Sequence, residues 1–165
     1  MKRILAAIAL AALITGCDSK PDAPFGLKWG QSMDSVSFIK DGDCEKEGGV
    51  TTCTFDNQRP FNEWTFSNEL KFDRDGLVEI VSAFVGIEDH GPSFKNFKDK
   101  LNNETEFLLV NGFDREVLNK IKQRCEDSDT CDKTNERAKL SIGNTSLWIT
   151  TESTKSPIGI VTFTR

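Results

Sequence analysis

Few residues of this chain could carry out chemistry. The 165-residue sequence contains one histidine, His90, and no tyrosine. Nucleophilic catalysis assisted by an imidazole would depend on that single side chain, and no Gly-x-Ser-x-Gly elbow accompanies it. Metal sites built from several histidines are excluded by the same count. We therefore predict a protein that is not an enzyme and that has neither a metal nor a cofactor, with His90 exposed in a loop or at a helix entry.

Carboxylates offer the remaining route to catalysis, because a pair of them can hydrolyse a glycoside without histidine. Acidic residues are grouped at 41–47 and again at 126–129, in polar segments beside cysteines. We interpret both groups as solvated loop charge. A carboxylate-dependent cell-wall hydrolase remains the least favoured interpretation of the chain.

The overall charge argues against nucleic acid as a partner. The chain has 26 acidic and 21 basic side chains, a net charge of -5. Nucleic-acid binding normally requires a basic surplus. The length is typical of one domain that closes its own core.

The first 17 residues have the pattern of an export signal. Two basic residues precede the apolar run Ile4 to Thr15, which is too short to cross a bilayer as a helix. The run ends in Leu13-Ile14-Thr15-Gly16-Cys17, which resembles the lipobox of bacterial lipoproteins. The resemblance implies that residues 1–16 are a lipoprotein signal peptide and that Cys17 carries acyl chains such as palmitate. The alternative is an ordinary secreted protein with a spare thiol.

A lipid on Cys17 would hold the protein on a membrane, facing the periplasm. Asp18 resembles the signal that retains enteric lipoproteins in the inner membrane; where that rule does not apply, the outer membrane is expected. Without residues 1–16 the chain has 19 basic and 26 acidic side chains, a net charge of -7. An anionic lipid surface repels such a domain, so the lipid is expected to hold it there. We predict a flexible lipidated tether over 17–24 and a single α+β periplasmic domain over 25–165.

Four cysteines remain once Cys17 is assigned to the lipid, and an even number in an exported chain indicates two disulfides. Three pairings are possible. Local pairing of Cys44 with Cys53 and of Cys125 with Cys131 is favoured, because each pair brackets a polar, turn-rich segment. The spacings of the cysteines do not suit a zinc site. The chain also lacks the Cys-x-x-Cys pair that is typical of redox-active sites.

Hydropathy patterns predict the elements of the first half. Ser32 would cap a helix carrying Met33, Val36 and Ile39. Strands are expected over 50–55, 63–66 and 69–72. The turn Asp73-Arg74-Asp75-Gly76 then leads into the longest strand, 77–87, which is nearly continuously apolar and therefore central in its sheet.

The second half is predicted to begin with two helices. Gly91-Pro92 would open the first, with Phe94, Phe97 and Leu101 on one apolar stripe. Asp114 would cap the second. Three strands, 138–142, 146–151 and 157–164, would follow. This order indicates an α+β fold, with antiparallel sheet and helices packed on one face. A pair of tandem helix-plus-three-strand units is an alternative arrangement.

The opening segment of the domain resembles two related groups of proteins. Residues 25–36 (FGLKWGQSMDSV), followed by Cys44 and Cys53, are similar to the start of the small lipoprotein subunit of the outer-membrane β-barrel assembly machinery, and of the secreted β-lactamase inhibitory protein. Residues 70–77 also look like a strand-turn-strand of the assembly lipoproteins. The resemblance covers about 60 residues and implies a domain that binds proteins and catalyses nothing.

Trp148 is the candidate partner-binding residue. It alternates with Leu147 and Ile149, so it lies with Ser146 and Thr150 on the other side of its strand. It either covers the second side of the sheet or anchors a partner. We expect a membrane-anchored, non-catalytic binding module that scaffolds or stabilises an envelope complex through an unidentified envelope protein. The alternative is a tethered inhibitor or immunity protein acting on a periplasmic enzyme, towards which a negative charge could steer it.

Overall fold

The computed structural model describes residues 20–89, 91–127, 131, 134–151 and 157–165. Two helices pack against a mostly antiparallel sheet of seven strands, which confirms the predicted α+β class. The predicted signal peptide over 1–16, together with Cys17, Asp18 and His90, lies outside the described residues.

The elements follow one another along the chain in two groups, separated by the helices. The first group is β1 (Asp43–Glu47), β2 (Val50–Phe55), β3 (Ser67–Asp73), β4 (Gly76–Val85) and the short strands β5 (Ile87–Glu88) and β6 (Gly91–Pro92). The helices are α1 (Phe94–Val110) and α2 (Arg115–Asp127). The second group is β7 (Thr134–Leu140), β8 (Gly143–Thr150) and β9 (Ile158–Thr164).

The large sheet joins two runs of neighbouring strands. Its order is β1-β2-β3-β4-β9-β8-β7, while β5 and β6 form a separate pair. The two runs meet where β4 pairs with β9, from Glu79 opposite Thr164 to Val85 opposite Ile158. The longest strand, β4, is therefore the middle strand of the sheet, as its apolar sequence predicts.

The turn between β3 and β4 lies where the sequence predicts it. The Asp73 carboxylate accepts a hydrogen bond from the backbone N–H of Asp75 at 2.7 Å. Gly76 has a φ of 95°, a conformation that glycine adopts without steric cost. Short polar side chains and glycine thus close the hairpin, and the strands on both sides alternate between buried and partly exposed residues.

The two helices cover one side of the sheet. The hydroxyl of Ser93 accepts the backbone N–H of Asn96 at 3.2 Å and caps α1. The ring of Phe97 on α1 stacks on Phe84 of β4, with centroids 5.4 Å apart. On α2, an ion pair of 3.6 Å joins Arg124 to Glu136 of β7. The helices therefore bury the side of the sheet that carries Phe84.

Six phenylalanine rings form one connected cluster in and beside the hydrophobic core. Ring contacts of 5.2 to 6.5 Å connect the six members of this cluster. They are Phe25, Phe38, Phe55, Phe61, Phe107 and Phe163. Because these rings come from the N-terminal segment, the β2–β3 loop, α1 and two strands, the cluster unites both halves of the chain in one core.

The prediction of a helix that begins at Ser32 is wrong. Two 3-10 turns, Met33–Ser35 and Ile39–Asp41, occupy this region, and the Ser32 side chain caps neither of them. The hydroxyl of Ser35 instead donates to the Ser32 carbonyl at 2.6 Å. Short polar side chains that bond to nearby backbone compete with a regular helix, and this segment has several.

Two further boundaries differ from the prediction. Pro92 does not begin α1, because Gly91-Pro92 forms β6 and Ser93 provides the cap. Residues 63–66 form no strand, and β3 begins at Ser67. The alternative of two tandem helix-plus-three-strand units also differs from the structure: the first half has four strands of the large sheet, and the described residues before them, from 20 onwards, form no α-helix.

The domain begins before the predicted end of the tether. Ala23 and Pro24 are buried, and the Asp22 carboxylate accepts the backbone N–H of Trp29 at 2.9 Å. The last residues of the segment assigned to a flexible tether, 17–24, are therefore part of the packed structure.

Candidate functional site

The two sides of the large sheet differ sharply in burial. Side chains that point towards the helices, such as Leu70, Ile80 and Phe163, are almost completely buried. Their neighbours along each strand point the other way and are half-buried or exposed. We call this second, solvent-facing side of the seven strands the open face. No helix packs on it in the part of the chain that the structure describes.

Strand pairing arranges the open face in rows that cross the strands. The first, which we call the apolar row, contains Ser67, Ala83, Ile160, Trp148 and Asn135. The second contains Asp43, Thr54, Glu69, Val81, Thr162, Ser146 and Arg137. The third contains Glu45, Thr52, Lys71, Glu79, Thr164, Asn144 and Lys139.

The apolar row presents large hydrophobic side chains to solvent. Trp148 is 39% exposed and pairs with Ile160, which pairs in turn with Ala83. Phe66, which precedes β3, is 45% exposed and donates its backbone N–H to the Ala83 carbonyl at 2.8 Å. Exposed aromatic side chains set in a continuous surface are a feature of binding sites. The predicted placement of Trp148, opposite to Leu147 and Ile149, is confirmed.

The β1 end of the open face is acidic. A hollow of about 530 Å³ lies there, and threonines and a glutamine share its lining with four carboxylates. The carboxylates are Asp41, Asp43, Glu45 and Asp56. Within the described residues, no three histidine, cysteine or acidic side chains are arranged to hold a metal ion. The hollow is therefore described as a negatively charged surface.

The β7 end of the open face is basic. A second hollow, of about 510 Å³, is lined by Arg137 and Lys139 together with polar residues of β8 and β9. Both cations are exposed. The opposite charges of the two hollows give the open face a polarity that runs across the strands, from β1 to β7.

The charges in the middle of the open face neutralise one another in part. The Lys71 ammonium donates to the Glu79 carboxylate at 2.7 Å and lies 3.8 Å from Glu69. The hydrogen bond with Glu79 raises the pKa of Lys71 above its ordinary value, so the ammonium stays charged. All three side chains are about one third exposed, and such pairs contribute little to stability.

The four cysteines of the domain are bonded in the favoured local pairs, Cys44 with Cys53 and Cys125 with Cys131. Cys44 and Cys53 are direct cross-strand partners on β1 and β2. Cys53 is fully buried, so this bond lies on the side of the sheet away from the open face. The second disulfide ties the end of α2 to residue 131, just before β7. Both bonds therefore support the sheet without contributing to its open face.

One buried acid, Glu104, was not predicted from the sequence. Glu104 on α1 is 1% exposed, and its carboxylate accepts the indole N–H of Trp64 at 2.6 Å. Burial raises the pKa of Glu104 to about 7, against smaller opposite effects of Trp64 and Asn62. A carboxyl of this pKa could exchange protons at neutral pH, but its burial separates it from any substrate. We therefore regard Glu104 as a structural group.

The side chain of Asn62 also belongs to this buried polar region. Its side chain lies beside Glu104 and lowers the pKa of that carboxyl, and its backbone carbonyl accepts the hydroxyl of Thr65 at 2.7 Å. The Asn68 amide donates to Thr65 at 2.9 Å and accepts from Ser82 at 2.8 Å. These hydrogen bonds therefore link the β2–β3 loop to β3 and β4.

Comparisons with known proteins do not add a family to this description. The chain matches no protein-family model, no curated protein and no solved structure. Within the described residues, no helix combines the length and apolar character required to cross a bilayer.

Proposed function

We propose that this chain is a membrane-anchored periplasmic lipoprotein whose domain is a non-catalytic protein-binding module, with the open face as its binding surface. The observation that carries the proposal is the apolar row, where Trp148 is 39% exposed beside Ile160. Aromatic side chains of this kind provide most of the binding energy in many protein interfaces. The Leu13–Cys17 segment supports the lipid anchor through its resemblance to a lipobox.

The binding role is tested by site-specific photo-cross-linking in the envelope. A photoreactive amino acid replaces Ser146 on the open face in one variant and exposed Lys120 on α2 in the matched control. We expect a discrete cross-linked protein only from position 146, and loss of that product when Trp148→Ser is added. Equal cross-linking from both positions, or turnover of a cell-wall substrate by the purified chain, would overturn the proposal.

The anchor has its own test, because it does not depend on the open face. Cys17→Ser is expected to release the protein from the membrane fraction and to abolish labelling by a radioactive fatty acid. The Cys44–Cys53 disulfide lies elsewhere in the fold, so the domain should still be recovered in oxidised form. Unchanged labelling of the Cys17→Ser protein would show that another residue carries the lipid.

A tethered inhibitor or immunity protein is the second candidate, favoured by the acidic hollow at the β1 end. Four carboxylates around one hollow complement a basic enzyme surface and accelerate its association. This function predicts a one-to-one complex with a cationic hydrolase, weakened by Asp43→Lys and Glu45→Lys. The matched control is reversal of exposed acids on α2, with Glu116→Lys and Asp127→Lys.

A further inference from the structure

The charges of the open face are placed so that the surface complements itself. Asp43 and Arg137 occupy opposite ends of one row, and Glu45 and Lys139 occupy opposite ends of the next. In both rows the middle strand is β4, with three strands on each side. Since neighbouring strands lie about 4.8 Å apart, each acid lies roughly 29 Å from the base in its row.

We propose that the open face binds a second copy of this chain, in a two-fold dimer whose axis runs parallel to the strands along β4. This inference rests on the proposed function, because it names the partner of the same surface. An interface of this type uses one patch on both subunits, so each contact occurs twice.

The direction of the axis follows from the rows. A half turn about a line parallel to β4 exchanges the positions of the β1 edge and the β7 edge of the sheet. Each row keeps its position along the strands. Arg137 of one copy then faces Asp43 of the other, and Lys139 faces Glu45. An axis across the strands would instead place acid on acid and base on base. Charge complementarity therefore selects the first arrangement.

The same rotation superposes the central members of the two apolar rows, those on β3, β4 and β9. Ala83 lies beside the axis and faces Ala83 of the other copy, and Ile160 of β9 faces Ser67 of the other copy's β3. Glu79 also lies close to the axis, where two carboxylates would repel, but each is already bonded to Lys71 of its own sheet. A small apolar contact thus forms beside a middle region whose charges are compensated in part.

The available area suits a stable dimer. Seven strands spaced by about 4.8 Å and about seven residues long, at about 3.3 Å for each residue, cover roughly 750 Å². Specific interfaces bury about 800 Å² on each partner. Two sheets stacked at the usual separation of about 10 Å would cover most of the open face of both copies.

The path of the N-terminal segment agrees with this geometry. The Trp29 indole donates to the Ile142 carbonyl at 3.1 Å, and Gly30 donates to the Leu77 carbonyl at 2.9 Å. Both contacts lie at the end of the sheet that carries the β3–β4 and β7–β8 turns. An axis parallel to the strands keeps these ends together, so both tethers leave on one side of the dimer and can enter one membrane.

The test uses the full chain, purified from a bacterial envelope in mild detergent, and measures its protein mass by light scattering. An acidic-face variant carries Arg137→Glu and Lys139→Glu; a basic-face variant carries Asp43→Lys and Glu45→Lys. We expect the wild type to be a dimer, and each variant alone to be a monomer whose association is at least about 100-fold weaker. A mixture of the two variants should form a heterodimer, because every reversed contact then meets an opposite charge.

The control and the overturning results are equally specific. Arg115→Glu with Lys120→Glu makes the same charge change on exposed positions of α2 and should leave the dimer intact. Circular dichroism of each variant establishes that it is folded. A wild type that stays monomeric at about 100 µM, or folded variants that fail to associate on mixing, would overturn the dimer. Retention of the cross-link from position 146 to a different protein would then leave the proposed function standing.

Discussion

The buried carboxyl of Glu104 should make the stability of this protein fall as pH rises towards neutrality. The side chain is 1% exposed and receives one short hydrogen bond, from the Trp64 indole at 2.6 Å. Burial disfavours its charged form and raises its pKa from 4.5 to about 7. The unfolded chain has no such burial, so its carboxyl ionises near the ordinary value.

The sign of the effect follows from proton binding. Between pH 4.5 and about 7, the folded state holds a proton on Glu104 that the unfolded state has released. The free energy of unfolding therefore decreases with rising pH across this interval. The contribution is fully present below about pH 4.5 and is lost once the pH exceeds the folded-state pKa. At about 1.4 kcal/mol for each unit between the two pKa values, the loss is about 3 kcal/mol.

The assay is denaturant unfolding of the oxidised wild type and of Glu104→Gln at several pH values from 4 to 9. Glutamine keeps the shape and an acceptor for the indole, but it cannot ionise. We expect the free energy of unfolding of the variant to lie within about 1 kcal/mol of the wild-type value at pH 4. At pH 8 it should exceed the wild-type value by about 3 kcal/mol. Glu63→Gln, at the exposed residue that precedes Trp64, is the matched control and should follow the wild type.

Parallel stability profiles for wild type and Glu104→Gln would refute this reasoning. So would a direct titration of the side-chain carboxyl by nuclear magnetic resonance that placed its pKa near 4.5. The result that supports it is a free energy of unfolding that falls more steeply with pH in the wild type than in the variant, and only between pH 4.5 and about 7.

Two further substitutions probe the interior. Asn68→Ala removes the acceptor of Ser82 and the donor to Thr65, and should lower the free energy of unfolding by about 2 kcal/mol, measured in urea; an unchanged midpoint would contradict the role of this buried contact. Gly76→Ala would place its methyl group against the Gly30 carbonyl at a positive φ, so we expect a lower melting temperature than for Gly48→Ala, where φ is also positive but the space is open. Equal losses in the two glycine variants would show that the close approach is unimportant.

Local patterns in the sequence predicted β2, β3, β4 and the cap of α2 at Asp114, but they missed β1 and the start of α1. Alternation in residues 67–73 and 76–85 is strong because one side of each strand is buried and the other is not. The segment after Ser32 misleads because its apolar spacing suits a helix, while its serines bond to nearby backbone instead. The α1 boundary was missed for a related reason, since Ser93 offered a cap that the preceding proline obscured.

The candidate surface could be predicted only in part. The side on which Trp148 lies follows from alternation within one strand, so the sequence was sufficient. The alignment of Asp43 with Arg137 depends on six successive strand registers, including the pairing of β4 with β9, and no local pattern specifies that pairing. Glu104 was hidden because a polar residue on a helix normally faces water, and its burial depends on the distant Trp64.

The position of β9 has a consequence for the order in which the fold can assemble. This strand follows the other strands of the sheet along the chain, yet it lies between β4 and β8 and supplies both with hydrogen-bond partners. Until residues 158–164 are available, the β1–β4 run and the β7–β8 hairpin have no strand contact between them. The sheet therefore closes through contacts of long sequence separation, which are slow to form. A chain truncated before Ile158 would expose two inner strand edges at once, on β4 and on β8, so its resistance to proteolysis should depend on residues 158–164.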